Sequence, residues 1–179
     1  MIYTSLDLLI AELLNVIGAI TMYQMLAHKN KNGWLVYFLS SLALIYVLHF
    51  KDSWISVINQ SMMAILALKN YYLFHQIENK WHSIFDKLTI IVFLGSLYFL
   101  NGFDGKSISE LVLWCMIITK TILLGKKNDK GWIFQILQQA VSIIFGLYRG
   151  LYIYVFKSII FTFQGIYGYW KWRKTKHTT

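Results

Sequence analysis

The sequence predicts an all-α integral membrane protein: seven transmembrane helices in a 3+1+3 parallel-repeat arrangement. Three observations carry this. Apolar residues make up 57% of the 179-residue chain and charged residues only 14%, against about 45–50% and about 25% in soluble domains. The chain repeats itself at an offset of 98 positions, so that Lys29-Asn30 answers Lys127-Asn128 and Gly33-Trp34 answers Gly131-Trp132. Between the repeats lies one apolar run with no counterpart. An odd number of spans between them leaves both copies in the same orientation.

The repeat extends without a gap in both directions. Glu12 pairs with Glu110, Thr21 with Thr119, Lys51 with Arg149, Trp54 with Tyr152 and Tyr71 with Tyr169. Apolar helices resemble one another by composition. Glycine and charge matches at turns do not arise that way, and a fixed offset through them signals duplication.

About 20 apolar residues cross a bilayer core. Runs near that length lie at about 5–27, 33–50, 53–74, 83–101, 107–125, 131–148 and 150–171. The organisation follows: a first three-helix repeat over 1–75, a linker helix within 76–106, a second repeat over 107–173 and a basic tail over 174–179. There is no proline, so no ring clash forces a kink. The N-terminus lacks the basic region and cleavage site of a signal peptide and is expected to remain on the protein.

The formal charge of +9 could suggest nucleic acid, but its placement reads as topology. Ten Lys and Arg fall on one side: Lys29, Lys31, Lys80, Lys126, Lys127, Lys130, Lys171, Arg173, Lys174 and Lys176. Three fall on the other: Lys51, Lys106 and Arg149. The richer side is expected to be cytoplasmic, placing the C-terminus inside and the N-terminus outside. Tyr167, Tyr169, Trp170 and Trp172 form an aromatic belt beside the basic tail.

Polar side chains inside apolar spans usually face a bundle interior or a wet cavity. Trp132, Gln135 and Gln139 recur at helical spacing on one face of the sixth span, flanked by Gln138 and Ser142. Indole offers a flat surface and glutamine both donor and acceptor, which suits a planar heterocycle with sugar hydroxyls. The alternative is interhelical glue, in which Gln and Ser hold helices together. Trp34, Tyr37 and Ser41 occupy the equivalent positions in the first repeat. Asn59 and Gln60 in the third span, and Gln164 in the seventh, complete the candidate substrate-binding set. Lys157, on the face of Gln164, could bind an anionic or carbonyl group or reach the membrane surface.

Glu12 and Glu110 sit at matching places near the outer surface, where structural pairing is favoured over ion coupling. The one cysteine, Cys115, reads as a buried, inert thiol. Five scattered histidines and the absence of any metalloprotease, redox or phosphate-loop motif predict no catalytic site, no metal site and no cofactor.

On the Gly-Trp entries to the second and sixth spans, the Leu-Tyr-Arg-Gly-Leu-Tyr turn at 147–152 and the ending Gln164-Gly-Ile-Tyr-Gly-Tyr-Trp-Lys-Trp172, the chain resembles the PnuC family of bacterial vitamin transporters. The resemblance runs from Glu12 to Arg173. It implies a fold related to SWEET transporters, a homo-oligomer (often a trimer) and a place in the bacterial cytoplasmic (inner) membrane. It also implies facilitated diffusion of nicotinamide riboside for NAD biosynthesis, made one-way by a cytoplasmic kinase. One departure concerns the site. The family pattern Trp-x-x-Trp-x-x-x-Asn survives here as Trp132, Gln135 and Gln139, so a stacking surface is exchanged for a hydrogen-bonding amide. Thiamine or riboflavin are therefore alternative substrates, and a non-transporting receptor or assembly subunit the alternative role. The expected cycle has substrate stacking on Trp132 and Trp34 and bonding to Gln135, Gln139 and Gln60, with no covalent step, while the repeats alternate access at their interface. Glycines at 33, 131, 146, 150, 165 and 168 serve there as packing positions or pivots.

Overall fold

The computed structural model describes residues 3–50, 54–76, 80–98, 105–148 and 152–176. Seven α-helices follow one another, and the described residues contain no strand: α1 Tyr3–Ala27, α2 Asn32–Phe50, α3 Trp54–Tyr72, α4 Lys80–Tyr98, α5 Gly105–Gly125, α6 Lys130–Tyr148 and α7 Tyr152–Lys176. Among the described residues three helices are long and apolar enough to cross a bilayer on length and composition alone, over Leu9–Ala27, Asn32–His49 and Lys130–Tyr148. Elsewhere, charged side chains such as Lys69, Asp86, Lys87 and Lys157 interrupt the apolar runs. Lys51, Arg149 and Gly150 lie outside the described residues, as does the Glu110 side chain.

One turn is built twice, 98 residues apart. Lys29 has φ 55° and Lys127 φ 53°, the left-handed step that ends a helix and usually falls to glycine. The Asn30 amide then donates to the Met25 carbonyl, and the Asn128 amide to the Leu123 carbonyl, both at 2.9 Å. Each asparagine next caps the following helix. Its Oδ1 accepts from the backbone amide two residues on, Asn32 or Lys130, at 3.0 Å, as preferred N-cap residues do. The glycine that follows is required by a close approach. A Cβ on Gly131 would lie 2.8 Å from the Leu124 side chain and 2.9 Å from its backbone nitrogen, and one on Gly33 would lie 3.0 Å from Leu26 and from the Met22 carbonyl oxygen.

The chain divides into two compact units, Met1–Leu26 with Asn30–Asn101, and Ala27–Lys29 with Gly102–Thr179. In the first, the Asn15 amide donates to the Ser40 carbonyl oxygen at 3.0 Å, joining α1 to α2. Helix α2 packs on α3 and α3 on α4. In the second, α6 packs between α5 and α7. The helix within 76–106 therefore clusters with the first unit. Helix α7 also continues to Lys176, beyond the predicted span, because stacked pairs at i,i+4 support its last turns. Lys171 lies 5.4 Å from the Tyr167 ring centroid, Arg173 5.6 Å from that of Tyr169 and Lys174 5.2 Å from that of Trp170.

One expectation changes. Cys115 is exposed, not buried: the described buried residues of α5 begin at Ile118, and Cys115 lies one turn before them. The sequence also gave no warning of an ion pair. Lys69 of α3 and Asp86 of α4 meet at 2.6 Å with side chains 1% and 7% exposed. Neither could sit in an apolar helix pair alone, because an uncompensated buried charge costs several kcal/mol. This bond ties α4 to α3. Removing one partner, as in Asp86→Leu, is expected to cost about 3–5 kcal/mol, and Lys69→Met/Asp86→Leu to recover most of that loss. Thermal unfolding of the three proteins in one detergent measures both.

Candidate functional site

Helix α6 carries most of the predicted residues, and its neighbours determine what each can do. Trp132 is fully buried. A Cβ on Gly168 would lie 2.6 Å from three of its ring atoms, so the indole lies flat over that glycine of α7. Its edge meets Trp172, centroids 5.6 Å apart at 89°. The indole face toward α7 is therefore occupied by that glycine.

Gln138 turns toward α5. Its Oε1 accepts from Lys120 Nζ at 2.8 Å, and both residues are buried. Lys120 is thus a buried amine facing the polar turn of α6, and a lysine near a helix end gives no sequence signal for that inward position.

Gln135 is the outlier. It is 0% exposed, and neither its amide oxygen nor its amide nitrogen has a hydrogen-bond partner. It faces α7 where Gly165 lets the helices close, since a Cβ there would sit 3.1 Å from Gln135 Cγ. Gln164 is the chain neighbour of that glycine and is half-buried. Gln139 and Ser142 are buried further along α6. On α7 the buried residues Val155, Ser158, Phe161, Gly165, Gly168 and Trp172 form one stripe with steps of three and four, the spacing of a single packed helix face. Ser158 Oγ on that stripe is also buried without a partner.

The equivalent place in the first unit is closed. Ser41 and Gln60 are the counterparts of Gln139 and Ser158, and there Gln60 Nε2 donates to Ser41 Oγ at 2.9 Å. Asn59 beside it is buried. Trp34 is 1% exposed with its indole N–H unpartnered, and its ring lies 6.3 Å from that of the half-buried Tyr37. So the structure brings Trp132, Gln135, Gln138, Gln139 and Gln164 together on α6 and α7, and Trp34, Tyr37, Asn59 and Gln60 on α2 and α3. Ser158 and Lys120 join the first group. Lys157 is half-buried with its ammonium 6.0 Å from the Phe161 ring. Among the described residues no three His, Cys, Asp or Glu side chains could hold a metal together.

A groove of about 270 Å³ opens between α3 and α4, walled by Tyr72, Trp81 and Phe85 beside Lys69. Its lining contains none of the predicted site residues. Chemically, then, the second unit holds a buried indole, a buried lysine bonded to Gln138 and an amide with neither of its hydrogen-bonding functions partnered.

A family model described as nicotinamide mononucleotide transporter matches residues 9–174. No curated protein and no solved structure matches.

The contrast between the units predicts opposite outcomes for one substitution. Gln60→Leu strands the Ser41 hydroxyl and is expected to lower stability by about 1–3 kcal/mol. Gln135→Leu removes two unpaired polar atoms at similar volume, and is expected to leave stability unchanged or raise it. Thermal unfolding in detergent reads both; equal losses would mean that Gln135 is interhelical glue.

Proposed function

The chain belongs to the nicotinamide mononucleotide transporter family, and from that premise we propose that it imports a vitamin nucleoside, nicotinamide riboside, by facilitated diffusion with alternating access. A multi-pass membrane protein that moves a small nucleotide-type or nucleoside-type molecule is what membership means, and such a protein is not an enzyme. The choice of substrate and mechanism is our reading.

The observation that carries it is the Gln135 amide. A buried amide left unpaired costs about 1–3 kcal/mol, and in hydrocarbon no water can reach it. Glutamine acting as glue would be bonded, as Gln60 and Gln138 are. An unbonded one is explained when a ligand completes it. Nicotinamide riboside fits in kind: a flat cationic ring for the indole of Trp132, a carboxamide for glutamine and ribose hydroxyls for further polar groups. Aromatic faces attract such cations by about 0.5–2 kcal/mol.

The remaining features are part of the same proposal. Seven spans with the ten-residue basic side inward put the C-terminus in the cytoplasm of a bacterial inner membrane and the N-terminus outside. A cytoplasmic kinase acting on the substrate would make uptake one-way without a coupled ion. The protein is proposed to work as a homo-oligomer, a trimer by resemblance. A second reading is favoured by one particular: Gln135 stands where the family pattern has tryptophan, so the carried vitamin could instead be thiamine or riboflavin.

The test is a calorimetric panel on the detergent-solubilised protein with nicotinamide riboside, nicotinamide mononucleotide, thiamine, riboflavin and a neutral sugar. Micromolar binding of nicotinamide riboside is the expected result. Binding of another vitamin in its place would keep the transporter and change its cargo, and silence from folded protein would overturn the transport reading.

A further inference from the structure

The groups left open in the second unit specify more than polarity. Gln135 presents an acceptor and a donor side by side on one planar amide, both fully buried and both without a partner. Bonding only one of them would leave the other stranded at about the original cost. The complement that satisfies both is another group with an adjacent donor and acceptor in one plane. A primary carboxamide is such a group, and it pairs with glutamine through two parallel hydrogen bonds. An aminopyrimidine edge or a cyclic imide has the same pattern. A ketone, an ester, a carboxylate or a sugar hydroxyl does not.

The second open group fixes a length. Gln135 packs opposite Gly165, and Ser158 lies seven residues earlier on the same buried stripe of α7, about 10 Å along the helix. Its Oγ has no partner and can donate and accept one hydroxyl-type bond. The first unit has no such pair of open groups: Tyr37 stands at the position matching Gln135, and Gln60, which matches Ser158, donates to Ser41.

We propose that Gln135 is the specificity-determining residue of the site: it reads a primary carboxamide, or a ring edge with the same adjacent donor and acceptor, while Ser158 takes a ligand hydroxyl about 10 Å away. The inference rests on the transport reading above and adds the group within the substrate that is recognised. It also accounts for a polar residue at a stacking position, since an aromatic side chain there would bind rings without asking what they carry.

The experiment uses the full chain in detergent and three ligands that differ at one position of the pyridine ring: nicotinamide riboside, 3-acetylpyridine riboside and nicotinic acid riboside. The acetyl group keeps the acceptor and lacks the donor. The expected result is that the wild type prefers the carboxamide to the acetyl ligand by about 30-fold, the worth of one buried hydrogen bond. Gln135→Leu is expected to bring that ratio within about threefold while weakening all three ligands, and Ser158→Ala to weaken the carboxamide and acetyl ligands equally. Equal binding of the carboxamide and acetyl ligands to the wild type overturns the inference and leaves the transport reading standing. So does an unchanged preference in folded Gln135→Leu. Failure of folded wild type to bind nicotinamide riboside or any other vitamin overturns the transport reading, and this inference with it. The wild-type ratio decides the matter even if the variants do not fold.

Discussion

Inside a bilayer a polar side chain has no water to fall back on, and each one in this chain must find its partner in the protein. That constraint accounts for most of the internal contacts. Lys69 meets Asp86, Lys120 meets Gln138, Gln60 meets Ser41, and Asn15 reaches the Ser40 carbonyl. Hydroxyls such as Ser61, Thr89, Thr121 and Thr162 bond back to the carbonyl four residues earlier. Such pairs fix helices together without hydrophobic driving force, which lipid does not supply. Against this background Gln135 stands out, because both polar atoms of its buried amide lack a partner.

The two units solve the same local problem in the same way and then diverge. Left-handed Lys29 and Lys127, capping Asn30 and Asn128, and close-packed Gly33 and Gly131 build one turn at two places. A lysine in that conformation costs about 1–2 kcal/mol, offset by the hydrogen bonds that the turn gathers. Past the turn the chemistry separates. The first unit bonds Gln60 to Ser41 across α2 and α3, whereas the second leaves Gln135 and Ser158 without partners and bonds Gln138 to Lys120 of α5.

Much of this was legible in the sequence. Helices α2 and α6 begin one residue before the predicted spans and end with them, each entered through the same asparagine-capped turn. The polar stripe Trp132, Gln135 and Gln139 follows from helical spacing, and it is buried. What could not be read is pairing between segments. Lys69 and Asp86 lie on different helices, and a hydropathy count treats both as breaks in apolar runs, so their bond is invisible until α3 and α4 are packed. Lys120 was hidden for the same reason. Trp132 was expected to offer a stacking surface, but Gly168 occupies one of its faces, a contact that depends on the register of α6 against α7. Cys115 was misread because an apolar run does not reveal which face is inward when both faces are apolar.

The most direct test of the central claim is counterflow in proteoliposomes. Vesicles loaded with unlabelled nicotinamide riboside and placed in trace labelled substrate, with no ion gradient, should transiently accumulate label through the wild-type protein. Gln135→Leu, folded and inserted to the same level, should reduce that accumulation by about 10-fold or more. Counterflow that survives Gln135→Leu unchanged would contradict the assignment of the open amide to the substrate, and its absence from wild-type vesicles would contradict ungated facilitated diffusion of this vitamin.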